Sequence, residues 1–313
     1  MAGAAIGQSP ASRARGAAVV LAMLLAAFAA AVAATVFADQ QRWSRSVEHR
    51  RDQVQAQAIA IAGVQWARQI LFDDARASAI DDLSEPWALR LPPIPLDNGE
   101  IRGAIIDAQS RLNINALGDA GTRAEVERSR IARLFAQRRG PVAALPAIAD
   151  WTDRDSIVRA GGAEDAWYLA RPSPSLTANA PVIRISEIAA VRGVTDDSLA
   201  AVGAFITALP PGTPVNVNTA SAEVLAAILD AASVDAIAAL TASRAQKPFT
   251  TVAEFRARLP SGVRLDSEDA LDVKSRFFEV TIEARQGATV ARARALVRRE
   301  PEHWPVIVWQ IVE

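Results

Sequence analysis

The longest run of apolar residues lies close to the amino terminus. Between Ala17 and Ala38 the sequence has 22 residues without a charged side chain, and eleven of them are alanine. A helix of that length measures about 33 Å, which matches the hydrocarbon thickness of a bilayer. The segment therefore predicts a membrane-spanning helix, although a weakly held one, because alanine is only mildly hydrophobic.

After this run the pattern changes to that of an amphipathic helix. Residues 40–77 contain no proline and one glycine. Apolar residues recur at spacings of three and four, which predicts that they share the buried face of a helix: Ile59, Ala62, Trp66 and Ile70. Both parts together predict one continuous helix from Ala17 to about Ala75, about 88 Å long.

Beyond the helix, strands are predicted at two separate places. A proline-rich stretch contains a turn at Asp97-Asn98-Gly99, and residues 101–109 follow it with the pattern of a strand. Three more strands are predicted near the carboxyl terminus, starting at Arg276, Ala288 and Pro305. In the second of these, alternate residues form a face that we expect to be solvated: Val290, Arg292, Arg294 and Leu296.

The segment between these strands is polar, rich in alanine and helical in its periodicity. Two stretches share an N-x-N turn, RLNINAL at residues 111–117 and PVNVNTA at residues 214–220. Several segments open with a polar residue and an early glutamate, as capping boxes do. Helix pairs that repeat every 30 to 35 residues fit this spacing. The pattern therefore predicts an α+β chain with a helical insert of about 160 residues.

Composition and charge exclude several kinds of function. The chain has 34 basic and 35 acidic residues, so it has no overall field that would attract nucleic acid. It has no cysteine, which excludes disulfides, thiolate nucleophiles and cysteine-ligated zinc. His49 and His303 lie far apart in sequence, and no phosphate-binding loop occurs. We therefore predict that the protein is not an enzyme.

Two interpretations of the amino terminus stay open from the residues alone. Arg13 and Arg15 precede the apolar run, which favours a cytoplasmic amino terminus. The run could be a secretory signal peptide cleaved after Ala38, because Val36-Phe37-Ala38 is a tolerable cleavage site. The amphipathic helix that continues it favours a retained anchor instead.

A short basic leader that ends in Gly16, followed by an apolar and then an amphipathic half-helix, resembles the prepilins of type IV pili and type II secretion pseudopili. The resemblance implies a leader of residues 1–16. It also implies cleavage by prepilin peptidase between Gly16 and Ala17, with methylation of the new amino terminus. Most such proteins carry glutamate at the fifth mature position, which is Leu21 here.

Segments across most of the chain are similar to the pseudopilin K family of type II secretion systems: EPWALRLPPIP, IIDAQSRLNINAL, DWTDRDSIVRAGGAEDAWYL, SEIAAVRGV and PVNVNTAS. The resemblance implies a pilin-like fold, in which a long helix packs on an antiparallel sheet, with a large inserted helical domain that contains helix-hairpin-helix-like repeats. Its implied divisions are residues 17–38 for the transmembrane half-helix, 39–110 for the amphipathic helix, loop and first strand, 111–270 for the insert and 271–313 for the last strands.

The same resemblance implies a function in assembly. Such a minor pseudopilin lies at the tip of the periplasmic pseudopilus and initiates or caps the filament that exports folded proteins across the outer membrane. Its partners are minor pseudopilins of the I and J types and then the H type, together with prepilin peptidase and the inner-membrane assembly platform. It starts as a single-pass inner-membrane protein whose carboxyl-terminal domain is periplasmic.

Leu21 agrees with the tip position. The family's usual glutamate is thought to pair with the methylated amino terminus of a neighbouring subunit, and a carboxylate in hydrocarbon is costly unless it is paired. A subunit with Leu21 needs no such partner above it.

The alternative function is nucleic-acid binding by a secreted or membrane-tethered protein. Residues 215–260 resemble the helix-hairpin-helix modules of DNA receptors, which hold a phosphate through a glycine-bearing hairpin. Here the hairpin has no glycine and contains Asp230 and Asp235, and the segment has four basic and four acidic residues. We therefore expect protein scaffolding and no nucleic-acid partner.

The densest group of carboxylates surrounds Gly161-Gly162 and consists of Asp150, Asp153, Asp155, Glu164 and Asp165. Such a loop suits calcium, which takes six to eight oxygen ligands in irregular geometry. The spacing is not that of an EF-hand, and Arg154 and Arg159 could neutralise part of the charge, so a solvated loop stays open as the alternative. Members of the pseudopilin K family bind calcium in the inserted domain, which implies structural calcium at these residues.

Overall fold

The computed structural model describes residues 10–90, 92–230 and 232–313, with side chains from residue 17 onward, so residues 1–9 of the expected leader lie outside it. Its helices are α1 (Pro10–Ala77), α2 (Thr122–Gln137), α3 (Leu145–Thr152), α4 (Asp165–Leu169), α5 (Asp196–Val202), α6 (Ala222–Ile228), α7 (Val234–Gln246) and α8 (Val252–Ala257). Its strands are β1 (Ile94–Leu96), β2 (Gly99–Asp107), β3 (Leu112–Asn113), β4 (Ile206–Thr207), β5 (Val215–Asn216), β6 (Leu229–Asp230), β7 (Arg264–Leu265), β8 (Leu271–Asp272), β9 (Phe277–Gln286), β10 (Thr289–Glu300) and β11 (His303–Val312).

Helix α1 is a single helix of 68 residues, continuous as predicted, but it begins at Pro10 rather than at Ala17. At about 1.5 Å per residue it is about 100 Å long. Every side chain from residue 17 to residue 51 is exposed, and the first buried one is Ala56. Only the last third of the helix therefore packs on the rest of the chain.

The buried face of α1 differs from the one predicted. Five residues at spacings of three and four are buried against the sheet: Ala56, Ala60, Val64, Ala67 and Leu71. Trp66, expected on this face, is 49% exposed. The sheet approaches so closely that a β-carbon at Gly63 would lie 2.8 Å from a methyl group of Ile282. The close approach of the sheet therefore favours small residues on the buried face of α1. The face predicted from the sequence consisted mainly of large residues.

Four long strands and the three-residue β1 form an antiparallel sheet in the order β1-β2-β9-β10-β11. The predicted turn connects β1 to β2, where Leu96 pairs with Gly99. Strand β9 lies at the centre, and its Ile282 pairs with Gly103 of β2 and Ala293 of β10. The three strands predicted at the carboxyl end are confirmed as β9, β10 and β11.

The two faces of the sheet have different surroundings. Alternate residues of β9 and β10 form a core with α1: Val280, Ile282, Ala284, Ala291, Ala293 and Ala295. On the outer face Arg292 and Arg294 are exposed, as expected. Leu296 was also expected to be solvated but is buried, because it packs with Leu209 of the helical segment.

The chain leaves the sheet after β2 and returns to it at β9, and helices α2–α8 lie between. This segment has its own core, whose largest members include Leu134, Phe135, Ile148, Tyr168, Ile228, Phe249 and Phe255. The fold is therefore α+β and pilin-like, with a helical insertion.

The two N-x-N motifs perform the same structural task. Strand β3, which carries Asn113, pairs in parallel with β4, and β5 pairs in the same way with β8. Asn115 accepts a hydrogen bond from the Val182 amide at 2.9 Å and donates one to its carbonyl at 2.9 Å. Asn218 makes the same pair of bonds with Phe249, at 2.8 and 2.9 Å. The helix-hairpin-helix character of the following helices stays a prediction.

Candidate functional site

The expected processing junction lies within α1. Gly16 and Ala17 are consecutive helical residues, and Leu21 follows about one turn later with its side chain exposed. Among the described residues, α1 is the one helix long and apolar enough to cross a membrane, judged by length and composition alone, and it lies near the amino terminus. An exposed apolar surface of this extent is typical of contact with lipid or with other apolar helices.

Three of the five expected metal ligands converge. Asp153 follows the end of α3, Asp155 lies in the next loop, and Glu164 is the residue before α4. One carboxylate oxygen from each residue lies within 4.8 Å of the other two. Three acids from one loop and a helix start therefore point at a common position.

Several oxygens around this position lack hydrogen-bond partners. Both carboxylate oxygens of Glu164 and Oδ1 of Asp153 are buried and unpaired, as are Thr177 Oγ1 and Asn179 Oδ1. Burial raises the pKa of the Glu164 and Asp153 carboxyl groups, although Thr177 opposes the rise at Glu164 and Arg159 opposes it at Asp153. Buried polar groups are rarely left unpaired, and hard oxygen donors are what calcium prefers. The donor set therefore fits a calcium ion.

The other two acids have partners within the chain. Asp150 is completely buried and accepts hydrogen bonds from Arg159, with 2.8 Å between Oδ1 and Nη1. The same guanidinium also contacts Asp153. Asp165 accepts a hydrogen bond from the Thr177 amide at 2.8 Å. Arg159 therefore neutralises part of the cluster, as the alternative held, while the convergent oxygens of Glu164 stay without a partner.

Thr177 and Asn179 were not predicted as members of this site. They lie beyond α4, and Asn179 has a left-handed backbone with φ of 44°. Its side-chain amide lies 3.4 Å from the Ser156 hydroxyl, which places it beside the acidic loop. A non-glycine residue with positive φ is a signal of an unusual site only once the backbone is known.

A second buried polar cluster, also not predicted, connects α1, the sheet and the insert. Arg299 of β10 forms ion pairs with Asp74, at 2.5 Å, and with Asp81. Asp107, at the end of β2, accepts hydrogen bonds from Ser275 at 2.6 Å and Thr219 at 2.5 Å. We call these residues, together with Asn216, the junction cluster.

Burial raises the pKa of Asp107 to about 6, although the hydrogen bonds from Ser275 and Thr219 oppose the rise. Burial likewise raises the pKa of Asp74 to about 6. Asn216 donates hydrogen bonds to the Asp81 carbonyl at 3.0 Å and to Asp107 at 3.2 Å, so the insert is bonded to both the helix end and the sheet.

Comparison with known proteins identifies the family. Residues 110–211 and 215–274 match two family models, both described as type II secretion system (T2SS), protein K. The protein K of Aeromonas hydrophila is 32% identical over 239 residues, which cover 70% of this chain and 72% of that protein. The chain belongs to the type II secretion system protein K family.

Further relatives extend the match along the chain. The protein K of Pectobacterium carotovorum is 29% identical over 304 residues, which cover 91% of this chain and 93% of that protein. A crystal structure of the GspK-GspI-GspJ complex from enterotoxigenic Escherichia coli contains a similar chain, with a TM-score of 0.74, 25% identity and coverage of 86% of this chain and 99% of that one. Membership of the protein K family confirms the expected resemblance, and the match confirms the pilin-like fold with its helical insertion.

Proposed function

We propose that this chain is the minor pseudopilin that initiates or caps the pseudopilus at its tip. The observation that carries this proposal is the similarity of 86% of the chain, insert included, to a chain in a complex named for GspK, GspI and GspJ. Pseudopilins of the I and J types are accordingly its proposed neighbours, followed by one of the H type. Prepilin peptidase and the inner-membrane assembly platform are its proposed partners before assembly.

The proposed location follows from the same assignment. The exposed apolar part of α1 anchors the chain in the inner membrane by a single pass, and the sheet and insert lie in the periplasm. Two features support the tip. Leu21 requires no neighbour to neutralise it in hydrocarbon. The bulk of the insert would obstruct a subunit stacked above it. Both support an assembly role rather than catalysis.

Processing gives a direct test. We expect the mature chain isolated from membranes to begin at Ala17 with a methylated amino group, as measured by intact mass and terminal sequencing. A chain that begins at Asp39 would instead establish an ordinary signal peptide and contradict the proposal. A Gly16→Leu variant serves as the control, because it should retain the full leader.

We further propose that the loop around Asp153, Asp155 and Glu164 holds structural calcium, with Thr177 and Asn179 supplying additional oxygens. Bound there, the ion supplies positive charge to a group of carboxylates. With the ion bound, Asp153, Asp155 and Glu164 would hold the end of α3, the loop and the start of α4 together. The unpaired buried oxygens of Glu164 support this proposal.

Calcium should stabilise the protein because it binds to the folded chain and not to the unfolded chain. At a concentration about 100 times the dissociation constant the gain is about 2.7 kcal/mol, which corresponds to a rise in Tm of about 5 to 10 °C. Calorimetry of a soluble chain that begins at Gln41, with calcium and then with a chelator, measures it. Glu164→Gln should remove the rise, whereas Asp235→Asn, outside the loop, should retain it. A rise that survives Glu164→Gln would refute the site.

The contacts of the basic residues support an assembly role over nucleic-acid binding. In the segment that resembles a helix-hairpin-helix module, Arg244 donates hydrogen bonds to two buried carbonyls and Arg258 stacks on Phe249. Lys247 and Arg256 form ion pairs with Glu254 and Glu268. Each of these four side chains therefore has a partner within the chain, with which a phosphate group would have to compete.

A further inference from the structure

Exposed apolar side chains surround the acidic loop of the insert. Ile157 and Val158 lie in the loop itself and are 74% and 59% exposed. Trp167 and Leu169 belong to α4, and Leu176 follows that helix with 61% of its side chain exposed. We call these five residues the loop patch. Large apolar side chains that protrude as a group are typical of an interaction surface.

Hydrogen bonds around the acidic loop bring the parts of the loop patch together. The Thr177 amide donates to Asp165, the first residue of α4, at 2.8 Å, which places the adjoining Leu176 beside that helix. The Asn179 side-chain amide lies 3.4 Å from the hydroxyl of Ser156, which directly precedes the apolar pair of the loop. Residues from three segments therefore form one surface.

The charges that border the loop patch are basic. Arg154, Arg171 and Arg192 form no ion pair within the residues that the structure describes. Arg171 and Arg192 lie over the ring of Trp167, with 5.4 and 5.5 Å from the guanidinium carbon to the ring centroid. Of the five acids of the loop, Asp155 alone is exposed, and it belongs to the proposed calcium site.

This combination of side chains suits the surface of a lipid bilayer. Protruding apolar groups enter the boundary of the acyl chains, an indole ring lies at the depth of the headgroups, and arginines attract anionic lipids. Protein interfaces instead concentrate their binding energy in well-packed pockets. Because the side chains of the loop patch protrude and are bordered by unpaired arginines, the chemistry favours a bilayer.

The attachment of the insert determines which bilayer the loop patch can reach. The junction cluster holds the insert beside the end of α1, and residues 38–77 of that helix measure about 58 Å. With α1 upright in its own bilayer, the insert is held well away from that membrane. The loop patch would therefore meet a second membrane.

We propose that the loop patch binds the surface of a second phospholipid bilayer that carries anionic headgroups, while calcium is bound at the adjacent loop. With the ion bound, the carboxylates of the loop no longer offset the positive charge of Arg154, Arg171 and Arg192. The three arginines then attract the headgroups, and the apolar side chains enter the bilayer. The inference rests on the proposed calcium site and adds a lipid surface as its ligand.

Vesicle capture by the full chain tests this inference. The chain is held through α1 in nanodiscs of neutral phosphatidylcholine, and fluorescent vesicles with or without phosphatidylglycerol are added in the presence of calcium. Co-flotation measures capture, and empty nanodiscs give the background. We expect about tenfold more capture of vesicles that contain phosphatidylglycerol than of neutral vesicles, and chelation of calcium should lower this capture about tenfold.

Paired substitutions test the apolar side chains. Ile157→Ser with Leu176→Ser should lower the capture of anionic vesicles about tenfold or more, because two apolar side chains no longer enter the bilayer. Val234→Ser with Val290→Ser is the matched control and should leave capture unchanged, because these side chains are 85% and 43% exposed but lie outside the loop patch.

A second pair of substitutions tests the charges. Arg154→Gln with Arg171→Gln should lower the capture of anionic vesicles about tenfold. Arg139→Gln with Arg294→Gln removes the same charge from exposed positions outside the loop patch, and it should change capture by less than about twofold.

Several results would overturn the inference. These are no capture, equal capture of neutral and anionic vesicles, or capture that survives either pair of substitutions in the loop patch. The chain has no cysteine, so Leu176→Cys provides one attachment point for a benzophenone maleimide in the assembled secretion system. Labelling of a protein and of no lipid there would likewise show that the surface binds a protein.

The effect of calcium on the Tm of the full chain separates this inference from the proposed calcium site. If calcium raises the Tm but no vesicles are captured, lipid binding alone is wrong. If calcium leaves the Tm unchanged, the proposed calcium site fails, and the inference that rests on it fails as well.

Discussion

Asp107 is buried, yet it accepts four hydrogen bonds, from the Gln109 amide, Asn216, Thr219 and Ser275. Burial raises the pKa of its carboxyl group from its ordinary 3.8 to about 6. The folded chain therefore binds this proton more tightly than the unfolded chain does. The resulting stability is fully present below about pH 4 and is lost as the pH rises to about 6.

Replacing this residue should change how stability depends on pH. In Asp107→Asn the side chain no longer titrates. The free energy of unfolding of the original chain, relative to that of the variant, should therefore fall by up to about 3 kcal/mol between about pH 4 and 6. Urea unfolding of both soluble chains across this range measures the difference. If the difference in the free energy of unfolding did not change with pH, Asp107 would have the same pKa in the folded and unfolded chains.

Two buried arginines should respond differently to replacement by methionine. Arg130 donates one hydrogen bond, to the Ser267 carbonyl at 2.7 Å, while Nε and Nη1 have no partner. Arg244 donates to the Val217 and Ala220 carbonyls, both at 2.8 Å. Burial lowers the pKa of both guanidinium groups to about 10.

Because Nε and Nη1 of its buried guanidinium group lack hydrogen-bond partners, Arg130→Met should leave the free energy of unfolding unchanged or raise it by about 1 kcal/mol or more. Arg244→Met should lower it by about 1 to 3 kcal/mol, because two buried carbonyls lose their donor. Urea unfolding compares the two variants, and an equal loss in both would contradict this account.

Among the elements, α1 has two environments along its length. Its first part exposes an alanine-rich apolar surface, and its last part packs small residues on the sheet. Alanine contributes little favourable free energy to the transfer of a helix into hydrocarbon. Moving this helix from the bilayer into the filament should therefore require little free energy.

More hydrophobic side chains should hold the helix in the bilayer. Replacing Ala26, Ala27, Ala29 and Ala30 together by leucine should slow secretion and increase the fraction of the chain retained in membranes. Secretion rate and membrane fractionation measure both effects. Processing between Gly16 and Ala17 is the control, since it should proceed as before; unchanged secretion would refute this role for alanine.

At this scale, local patterns predicted the long strands β2, β9, β10 and β11, whereas the two-residue strands of the insert were not predicted. Ser221 and Thr251 cap α6 and α8 by accepting hydrogen bonds from the backbone amides of Val224 and Glu254. The face predicted for α1 was partly wrong, because Ile59 and Ile70 pack partly against the core beside the sheet whereas Trp66 is exposed. Periodicity specifies that a stripe exists, but the closeness of the sheet determined which one is buried.

For the whole molecule, the junction cluster holds the insert against the pilin-like part. Asp81 follows α1, Asn216 belongs to the insert, and Arg299 to the sheet, so the contacts join segments more than 80 residues apart. The connection is polar and fully buried, and such contacts require closely defined geometry. It connects the insert to the end of the long helix and to the sheet through defined hydrogen bonds.

The sequence by itself determined the long helix, the strands that bracket an insert, the turn at Asp97-Asn98 and the family, because each depends on local periodicity, turn chemistry or contiguous motifs. The tertiary structure decided which face of α1 is buried and which oxygens surround Glu164. It also decided that Arg299 pairs with Asp74 and Asp81. These depend on how closely distant segments approach, and neither spacing nor composition records that distance.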